Sequence, residues 1–178
     1  MRIIGGQYKG RRFNPPAKNW PTRPTTDFAK EGLFNILSNR LEFENLKVLD
    51  LFGGTGNISY ELISRGCKDV TYVDNFPGCI RFVTEIAKDL EIKTFITIVK
   101  ADVIKFIATD HNGYDLIFAD PPYDISTLEA IPNIIFEKNI LNPEGLFILE
   151  HGTKHSFKNH IHFIEDRRYG DSIFSFFK

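Results

Sequence analysis

The fold of this chain is indicated most clearly by ten residues, Lys47-Val48-Leu49-Asp50-Leu51-Phe52-Gly53-Gly54-Thr55-Gly56. Its largely apolar first half predicts a buried strand, and the glycines after it predict a tight turn. A segment with helical character follows at residues 56–65. A strand, a glycine-rich turn and a helix in this order are typical of the first unit of a parallel α/β sheet.

The same alternation of apolar runs and helical segments continues along the chain. We predict strands over residues 47–52, 70–74, 95–100, 114–120 and 145–150, and helices near 56–65, 77–90, 102–108 and 127–138. Two last runs, 162–164 and 173–177, are joined through Tyr169-Gly170-Asp171 and predict a closing antiparallel hairpin. The expected fold class is therefore α/β, with a mostly parallel sheet covered by helices on both faces.

An N-terminal segment precedes this pattern. Residues 2–13 contain the turn signal Gly5-Gly6 and predict a small β-hairpin. A stiff connector follows, with prolines at Pro15, Pro16, Pro21 and Pro24. It leads into a helix that we expect to end near Ser38, with N-cap candidates Thr25, Thr26 and Asp27 and an apolar stripe of Phe28, Leu33, Ile36 and Leu37. We predict an N-terminal extension over residues 1–40 and a main domain over residues 41–178.

Charge is distributed unevenly between these two parts. The net charge is −1, but residues 1–30 carry seven basic side chains against the single acid Asp27. A basic arm on a mildly acidic body can meet RNA phosphates locally. We take Lys9, Arg11, Arg12 and Arg23 as candidate RNA-binding residues. Charge alone leaves open the alternative of a solvated basic surface without a partner.

The remaining composition narrows the class of protein. With 178 residues and 42% hydrophobic side chains, the chain can bury one sizeable core. Cys67 and Cys79 form no CxxC pattern, which favours reduced thiols over disulfides or a structural zinc. No apolar run suits a signal peptide or a membrane span, so we expect a cytoplasmic protein. The spacing of His151, His155, His160 and His162 fits no zinc template, and we expect surface histidines and no metal.

Acidic residues mark the ends of the predicted strands. In an open parallel sheet the ligand crevice lies beyond the carboxyl ends of the strands. Four acids occupy such positions: Asp50, Asp74, Asp102 and Asp120. Aspartate is also common at strand ends and helix caps, so no single one of them decides the ligand.

The glycine loop discriminates between cofactors. A dinucleotide fold favours the pattern Gly-x-Gly-x-x-Gly, but the third position here is Ser59, and the carboxylate of Asp50 would repel a pyrophosphate. A carboxylate suits instead the ammonium and sulfonium end of S-adenosylmethionine. Asp74 is placed to accept hydrogen bonds from ribose hydroxyls, and Asp102 to accept one from an adenine amino group. The candidate cofactor-binding residues are Asp50, Phe52, Gly54, Gly56, Asp74 and Asp102.

The sharpest motif is Asp120-Pro121-Pro122-Tyr123. The lone pair of an exocyclic amine on a purine is delocalised into the ring, which makes the amine a poor nucleophile. If the Asp120 carboxylate and the Pro121 carbonyl accept its two N–H bonds, the lone pair is directed at the methyl group. The prolines, including Pro122, stiffen the corner, and Tyr123 offers a face on which a flipped-out base can stack. These four residues are the candidate catalytic residues.

With these residues assembled, the chain resembles the RsmD family of bacterial 16S ribosomal RNA guanine-N2 methyltransferases. The resemblance covers nearly the whole length and rests on segments 2–6, 9–11, 23–27, 30–35, 50–56, 61–66, 120–123, 150–151 and 169–171. It implies a Rossmann-like class I methyltransferase fold with seven strands, the last one antiparallel. It also implies a cofactor held by Asp50, Gly54, Gly56, Asp74 and Asp102, and a target base held by Asp120, Pro121 and Tyr123.

The chain departs from the family pattern at two places. The loop reads Phe-Gly-Gly-Thr-Gly where Phe-Ala-Gly-Ser-Gly is also usual in the family, and Asp74 stands where Glu is frequent. The first change stays within small residues, and the second keeps the carboxylate. Neither departure removes a group that the implied activity needs.

Three further functions are compatible with the same motifs. An adenine-N6 methyltransferase of DNA or RNA would satisfy the same contacts to Asp120 and Pro121. A protein-glutamine methyltransferase is the second, and a non-catalytic RNA-binding assembly factor is the third. The expected partner is 16S rRNA, in the small ribosomal subunit or an assembly intermediate, with the enzyme acting as a monomer; the role of Glu150 and His151 stays open.

Overall fold

The computed structural model describes residues 1–15 and 26–178. The strands are β1 (Lys47–Leu51), β2 (Asp69–Asp74), β3 (Ile96–Lys100), β4 (Tyr114–Ala119), β5 (Leu141–Gly152), β6 (Phe163–Tyr169) and β7 (Ser172–Phe177). The helices are α1 (Asp27–Ser38), α2 (Asn57–Ser64), α3 (Pro77–Asp89), α4 (Val103–Thr109) and α5 (Ile131–Glu137). Short 3-10 turns lie at Phe43–Asn45 and Leu128–Ala130.

All seven strands belong to one sheet, in the order β3-β2-β1-β4-β5-β7-β6. Strands β1 to β5 pair in parallel, and β7 pairs antiparallel with both β5 and β6. The predicted sheet with an antiparallel last strand is therefore confirmed, as is the closing hairpin, which turns at Gly170 with a φ of 65°. The strand order reverses between β1 and β4, where open α/β sheets form their ligand crevice.

Each face of the sheet packs against its own hydrophobic core. Successive side chains of a central strand point to opposite faces, so they enter different cores. In β1, Val48 packs into the core beneath α1, α2 and α3, whereas Leu49 packs into the core beneath α4 and α5. In β4, Phe118 and Ile117 divide in the same way. Continuous apolar strands therefore made the two-faced sheet predictable. In the part of the chain that the structure describes, no helix has the length and apolar character needed to cross a membrane.

Local details differ from the sequence prediction in several places. Strand β5 starts at Leu141 rather than at residue 145. Phe28 was predicted on the buried stripe of α1, and this is wrong: its ring is 69% exposed and lies edge-on to Tyr169, at 5.7 Å between centroids. The buried face of α1 instead carries Ala29, Lys30, Leu33, Phe34 and Leu37. These residues repeat at intervals of three and four along one side of the helix, and Phe28 lies outside that stripe. Of the N-cap candidates, Thr26 caps α1, and Thr25 lies outside the described residues, like most of the proline connector.

The N-terminal segment, residues 1–15, is paired with itself but contains no regular strand. One antiparallel bridge joins Arg2 to Arg12, and Gly10 N donates to the carbonyl of Ile3 at 2.9 Å. The segment lies against the end of α2, where Tyr8 N donates to Ser64 Oγ at 2.9 Å. At Gly6, which has a φ of 72°, any Cβ would lie 1.8 Å from the Ser64 carbonyl oxygen. Close backbone contact with α2 therefore requires this glycine.

A buried ion pair fixes this arrangement. Lys30 of α1 and Glu61 of α2 are both fully buried, with 3.5 Å between Nζ and Oε2. Lys30 Nζ also donates to the Arg2 carbonyl and to Asn57 Oδ1, at 2.5 and 2.7 Å. Glu61 accepts from Ile4 N at 2.8 Å and from Arg65 Nε at 2.9 Å. Burial lowers the pKa of Lys30, and the carboxylates of Glu61 and Asp27 oppose that shift.

Replacing Lys30 by Met should lower the free energy of unfolding by about 3 kcal/mol, because it leaves a buried carboxylate with fewer partners. Urea unfolding measures this loss. The exposed Lys93 provides the control, since Lys93→Met should change stability by less than about 0.5 kcal/mol. Equal stabilities of the two variants would mean that the ion pair contributes nothing to the fold.

Candidate active site

A cavity of about 1100 Å³ opens at the carboxyl ends of β1, β2, β4 and β5. Most of the predicted site residues line it: Asp50, Phe52, Gly54, Asp74, Asp102, Asp120, Pro121, Pro122 and Tyr123. Gly56 begins α2 behind the loop and does not line the cavity. Lys9, Arg11 and Arg12 are exposed on the N-terminal segment, away from the lining, and Arg23 lies outside the described residues.

The loop after β1 is held in an unusual backbone conformation. Phe52, Gly54 and Gly56 have positive φ angles of 57°, 52° and 77°. A Cβ at Gly53 would lie 2.3 Å from the ring of Tyr72, whose hydroxyl donates to the Gly54 carbonyl at 2.6 Å. A side chain at either Gly53 or Gly56 would therefore displace the loop, and the left-handed Phe52 is strained backbone of the kind found at binding sites.

Asp74 is fixed by this loop and by the start of α3. Gly54 N donates to Asp74 Oδ2 at 2.9 Å, and Phe76 N donates to Oδ1 at 2.7 Å. The side chain is buried at the wall of the cavity. Because each carboxylate oxygen has two acceptor positions, a carboxylate held in this way can also receive ligand hydroxyls.

Asp50 is more deeply buried. Burial raises its pKa to about 7; a hydrogen bond from Ser59 opposes the shift, and the carboxylate of Asp74 adds to it. The Ser59 hydroxyl donates to Asp50 Oδ2 at 2.5 Å. The residue that breaks the dinucleotide pattern is thus the partner of the loop carboxylate. A buried carboxylate of this kind favours a cationic ligand over a phosphate.

Asp102 has a different environment. It is exposed at the cavity rim and is the N-cap of α4, where its Oδ1 accepts from Lys105 N at 3.0 Å. Asp102 therefore caps α4, as aspartates commonly do, and it also lines the cavity.

The segment Asp120-Pro121-Pro122-Tyr123 forms a second wall of the cavity, beside the end of β1. Burial raises the pKa of Asp120 well above its ordinary value, and the carboxylates of Glu150 and Asp50 raise it further. Asp120 N donates to the Leu51 carbonyl at 3.3 Å, which ties this corner to the end of β1. The Tyr123 hydroxyl donates to Glu150 Oε1 at 2.9 Å and is 3.1 Å from Ser172 Oγ.

Sequence reasoning missed two residues of this wall, Ser172 and His155. Both line the cavity, and His155 Nε2 lies 3.1 Å from the Tyr123 carbonyl oxygen. Glu150 also lines it and is only 2% exposed. The sequence had singled out Glu150 by its position at the end of an apolar run and left its role open, whereas Ser172, at the start of β7, and His155, after β5, gave no such signal.

The histidines behave differently from one another. The surface prediction is wrong for His151, which is buried, with Nε2 2.8 Å from Ser175 Oγ and its ring against Phe157. Burial lowers the pKa of His151, which favours its neutral form. Within residues 1–15 and 26–178, no three His, Cys, Asp or Glu side chains are grouped to hold a metal ion. Both cysteines are buried and unbridged.

Known proteins resemble this chain over most or all of its length. Residues 1–178 match the family model described as "Conserved hypothetical protein 95". Ribosomal RNA small subunit methyltransferase D of Buchnera aphidicola is 31% identical over 150 residues, which are 84% of this chain and 75% of that protein. The structure titled "Putative methyltransferase yhhF from Escherichia coli" has a TM-score of 0.85 at 25% identity, with coverage of 99% and 96%.

A more distant structure shares the fold. It is a 16S rRNA N2 methyltransferase of Thermus thermophilus in complex with AdoMet and guanosine. Its TM-score is 0.69 at 20% identity, and the match covers 86% of this chain and 43% of that one.

Asp50→Asn should change how stability depends on pH. With a pKa of about 7, folded Asp50 keeps a proton that the unfolded chain releases near pH 4, so the parent loses stability as the pH rises between these values. The loss is about 1.4 kcal/mol per pH unit. The variant should therefore gain about 2 kcal/mol relative to the parent between pH 5 and pH 7, by urea unfolding. Parallel profiles would show that Asp50 ionises normally, and the exposed Asp89→Asn is the control.

Proposed function

The chain belongs to the family described as Conserved hypothetical protein 95, the RsmD family, and from this membership we propose that it methylates the N2 amine of a guanine in 16S ribosomal RNA. S-adenosylmethionine is the proposed methyl donor. A relative that is 31% identical is named ribosomal RNA small subunit methyltransferase D, and a structure of the same fold holds AdoMet and guanosine.

One structural observation carries the proposal: the glycine loop and the Asp120-Pro121-Pro122-Tyr123 segment line one cavity. Its volume of about 1100 Å³ exceeds that of a usual small-molecule pocket, which leaves room for a cofactor and a base together. A methyl group moves directly between two bound molecules only if both reacting atoms can meet in such a shared space.

The residues of the loop wall fit S-adenosylmethionine. When bound, this cofactor supplies a methyl group carried on a positively charged sulfur. We assign the buried carboxylate of Asp50 to the cationic end and Asp74 to the ribose hydroxyls. Asp102 receives the adenine amino group at the rim. Phe52 and Gly54 line the space between them, and Gly56 acts indirectly by allowing the turn into α2.

The residues of the second wall, formed by the Asp120-Pro121-Pro122-Tyr123 segment, fit a purine amine. Asp120 and the Pro121 carbonyl accept its two N–H bonds and so orient the nitrogen, while Pro122 stiffens the corner. The ring of Tyr123 stacks on the base. The nitrogen becomes acidic once it is methylated, and the raised pKa of Asp120 suits this carboxylate to take the released proton.

The N-terminal extension, residues 1–40, is the proposed RNA-binding part, with the boundary to residues 41–178 as predicted from the sequence. Lys9, Arg11 and Arg12 are exposed on a segment that α2 holds in place. Charges held on a fixed backbone lose little entropy when they meet phosphates. Arg23 is proposed for the same role from sequence alone. We further propose that the enzyme acts as a monomer in the cytoplasm, on small-subunit particles or their assembly intermediates.

The proposal is tested by identifying the product. Small-subunit particles from cells that lack the enzyme are incubated with methyl-labelled S-adenosylmethionine, and the RNA is digested to nucleosides for mass spectrometry. We expect label on N2-methylguanosine. Asp120→Ala should reduce transfer by at least about 100-fold, because it removes an acceptor that acts in the transition state, while cofactor affinity by calorimetry stays within a few-fold.

A different product would point to a different function. Label on N6-methyladenosine would make the protein an adenine methyltransferase, and label on protein alone would make it an amide methyltransferase. Intact cofactor binding without label on any acceptor would leave the non-catalytic assembly factor. Loss of cofactor binding in Asp120→Ala would contradict the assignment of Asp120 to the acceptor base.

The N-terminal segment should contribute to RNA affinity and not to cofactor affinity. The triple variant Lys9→Ala, Arg11→Ala, Arg12→Ala should flatten the slope of log affinity against log salt by about two to three, since each lost phosphate contact releases about 0.7 to 0.9 fewer counterions. A filter-binding titration at several salt concentrations measures this slope. The matched control replaces the exposed Lys88, Lys93 and Lys138 by Ala. Equal slopes for the two triple variants would exclude specific contacts by the segment.

A further inference from the structure

Glu150 and Asp120 stand side by side on neighbouring strands. The register pairs Ala119 of β4 with Leu149 of β5, so the next residue of each strand is an acid at the same level of the sheet. Both side chains line the cavity. Glu150 is 2% exposed and accepts a hydrogen bond from Tyr123, the residue whose ring is proposed to stack on the base.

Two adjacent carboxylates complement the hydrogen-bond donors of guanine but not the donor and acceptor of adenine. The Watson–Crick edge of guanine presents the N2 amine next to N1–H, so neighbouring atoms both donate hydrogen bonds. Adenine presents its N6 amine next to N1, which only accepts. A carboxylate accepts hydrogen bonds and donates none, so it would meet adenine N1 with lone pair against lone pair.

We propose that Glu150 accepts the N1–H of the target guanine while Asp120 accepts an N2–H, so that Glu150 selects guanine over adenine. This inference rests on the proposed function and names the residue that gives the site its base specificity. A site built to receive a substrate N–H rejects an analogue without it strongly, because an acceptor of the site then faces another acceptor instead of a donor.

Glu150 can bind a base as well as the Tyr123 hydroxyl. A carboxylate offers about four acceptor positions, so it can receive the Tyr123 hydroxyl and a base together. The Tyr123 hydroxyl also has Ser172 Oγ at 3.1 Å as a neutral neighbour. A buried second acid next to Asp120 is electrostatically unfavourable in the empty site, as the raised pKa of Asp120 reflects. N–H donors from a bound guanine relieve that repulsion.

The test replaces the methylated guanine, located by the labelling experiment, with 2-aminopurine in reconstituted particles. This analogue keeps the N2 amine, but its N1 is an acceptor. The parent enzyme should prefer guanine by at least about 100-fold in kcat/KM. Glu150→Gln should reduce that preference by about tenfold or more, because the amide can donate to N1 of the analogue and still accept from Tyr123. Guanine and 2-aminopurine also differ at position 6, so the comparison is between the preferences of the two enzymes.

Three controls separate recognition from structure. Glu129→Gln, an acid exposed at the rim of the same cavity, should leave the preference unchanged. Tyr123→Phe removes the hydroxyl that Glu150 holds and should keep the preference whatever its rate. Cofactor affinity measured by calorimetry verifies that Glu150→Gln is folded; if it is not, Glu150→Asp, which keeps the charge, must retain the guanine preference.

The outcomes separate this inference from the proposed function. N2-methylguanosine made by the parent, with equal preferences in the parent and Glu150→Gln, would overturn the role of Glu150 and leave the function intact. A preference lost equally in Tyr123→Phe would also overturn it, since Glu150 would then act only by positioning Tyr123. Methylation of adenine by the parent would overturn both.

Discussion

The buried ion pair between Lys30 and Glu61 is the constraint on which the site depends. The cost of removing these two charges from water is offset only when several further groups hydrogen-bond to them. Those groups come from the N-terminal segment and from both ends of α2, and Lys30 itself belongs to α1. One of them, Asn57, is the first residue of α2 and lines the cavity directly after the glycine loop. The contact that holds the N-terminal segment on the body therefore also positions the helix at the cofactor wall.

The second constraint is the concentration of acids at one edge of the sheet. Asp50, Asp74, Asp120 and Glu150 all line one cavity, and burial and mutual repulsion raise the pKa values of Asp50 and Asp120. Such an arrangement destabilises the empty protein and favours ligands that bring positive charge or N–H donors. A sulfonium cofactor and a purine amine supply these two properties. The same electrostatic cost thus excludes phosphate-bearing cofactors from the loop and favours the proposed pair of substrates.

Much of this could be predicted from the sequence because parallel strands end at a common edge. Apolar runs located the strands, and the acids after them converged without any knowledge of loop structure. Tertiary contacts could not be predicted from the sequence. Lys30 is fully buried although the sequence places it in a basic arm, and Phe28 is exposed although its spacing predicts a core residue. The hydrogen bonds among Tyr123, Glu150 and Ser172 join three segments that are distant in sequence, so no local pattern predicts them.

The ambiguity between guanine and adenine has the same origin. Asp120 and Pro121 are consecutive residues, so their pattern is visible in sequence, but both purine amines satisfy them. The atom that distinguishes the purines lies beside the amine, and the neighbour of Asp120 in that direction comes from another strand, through the register of β4 with β5. A shift of that register by one residue would turn Glu150 to the opposite face of the sheet and remove its carboxylate from the cavity. If Glu150 selects the base as proposed, specificity depends on the pairing of β4 with β5 and cannot be predicted from the Asp120-Pro121 pattern alone.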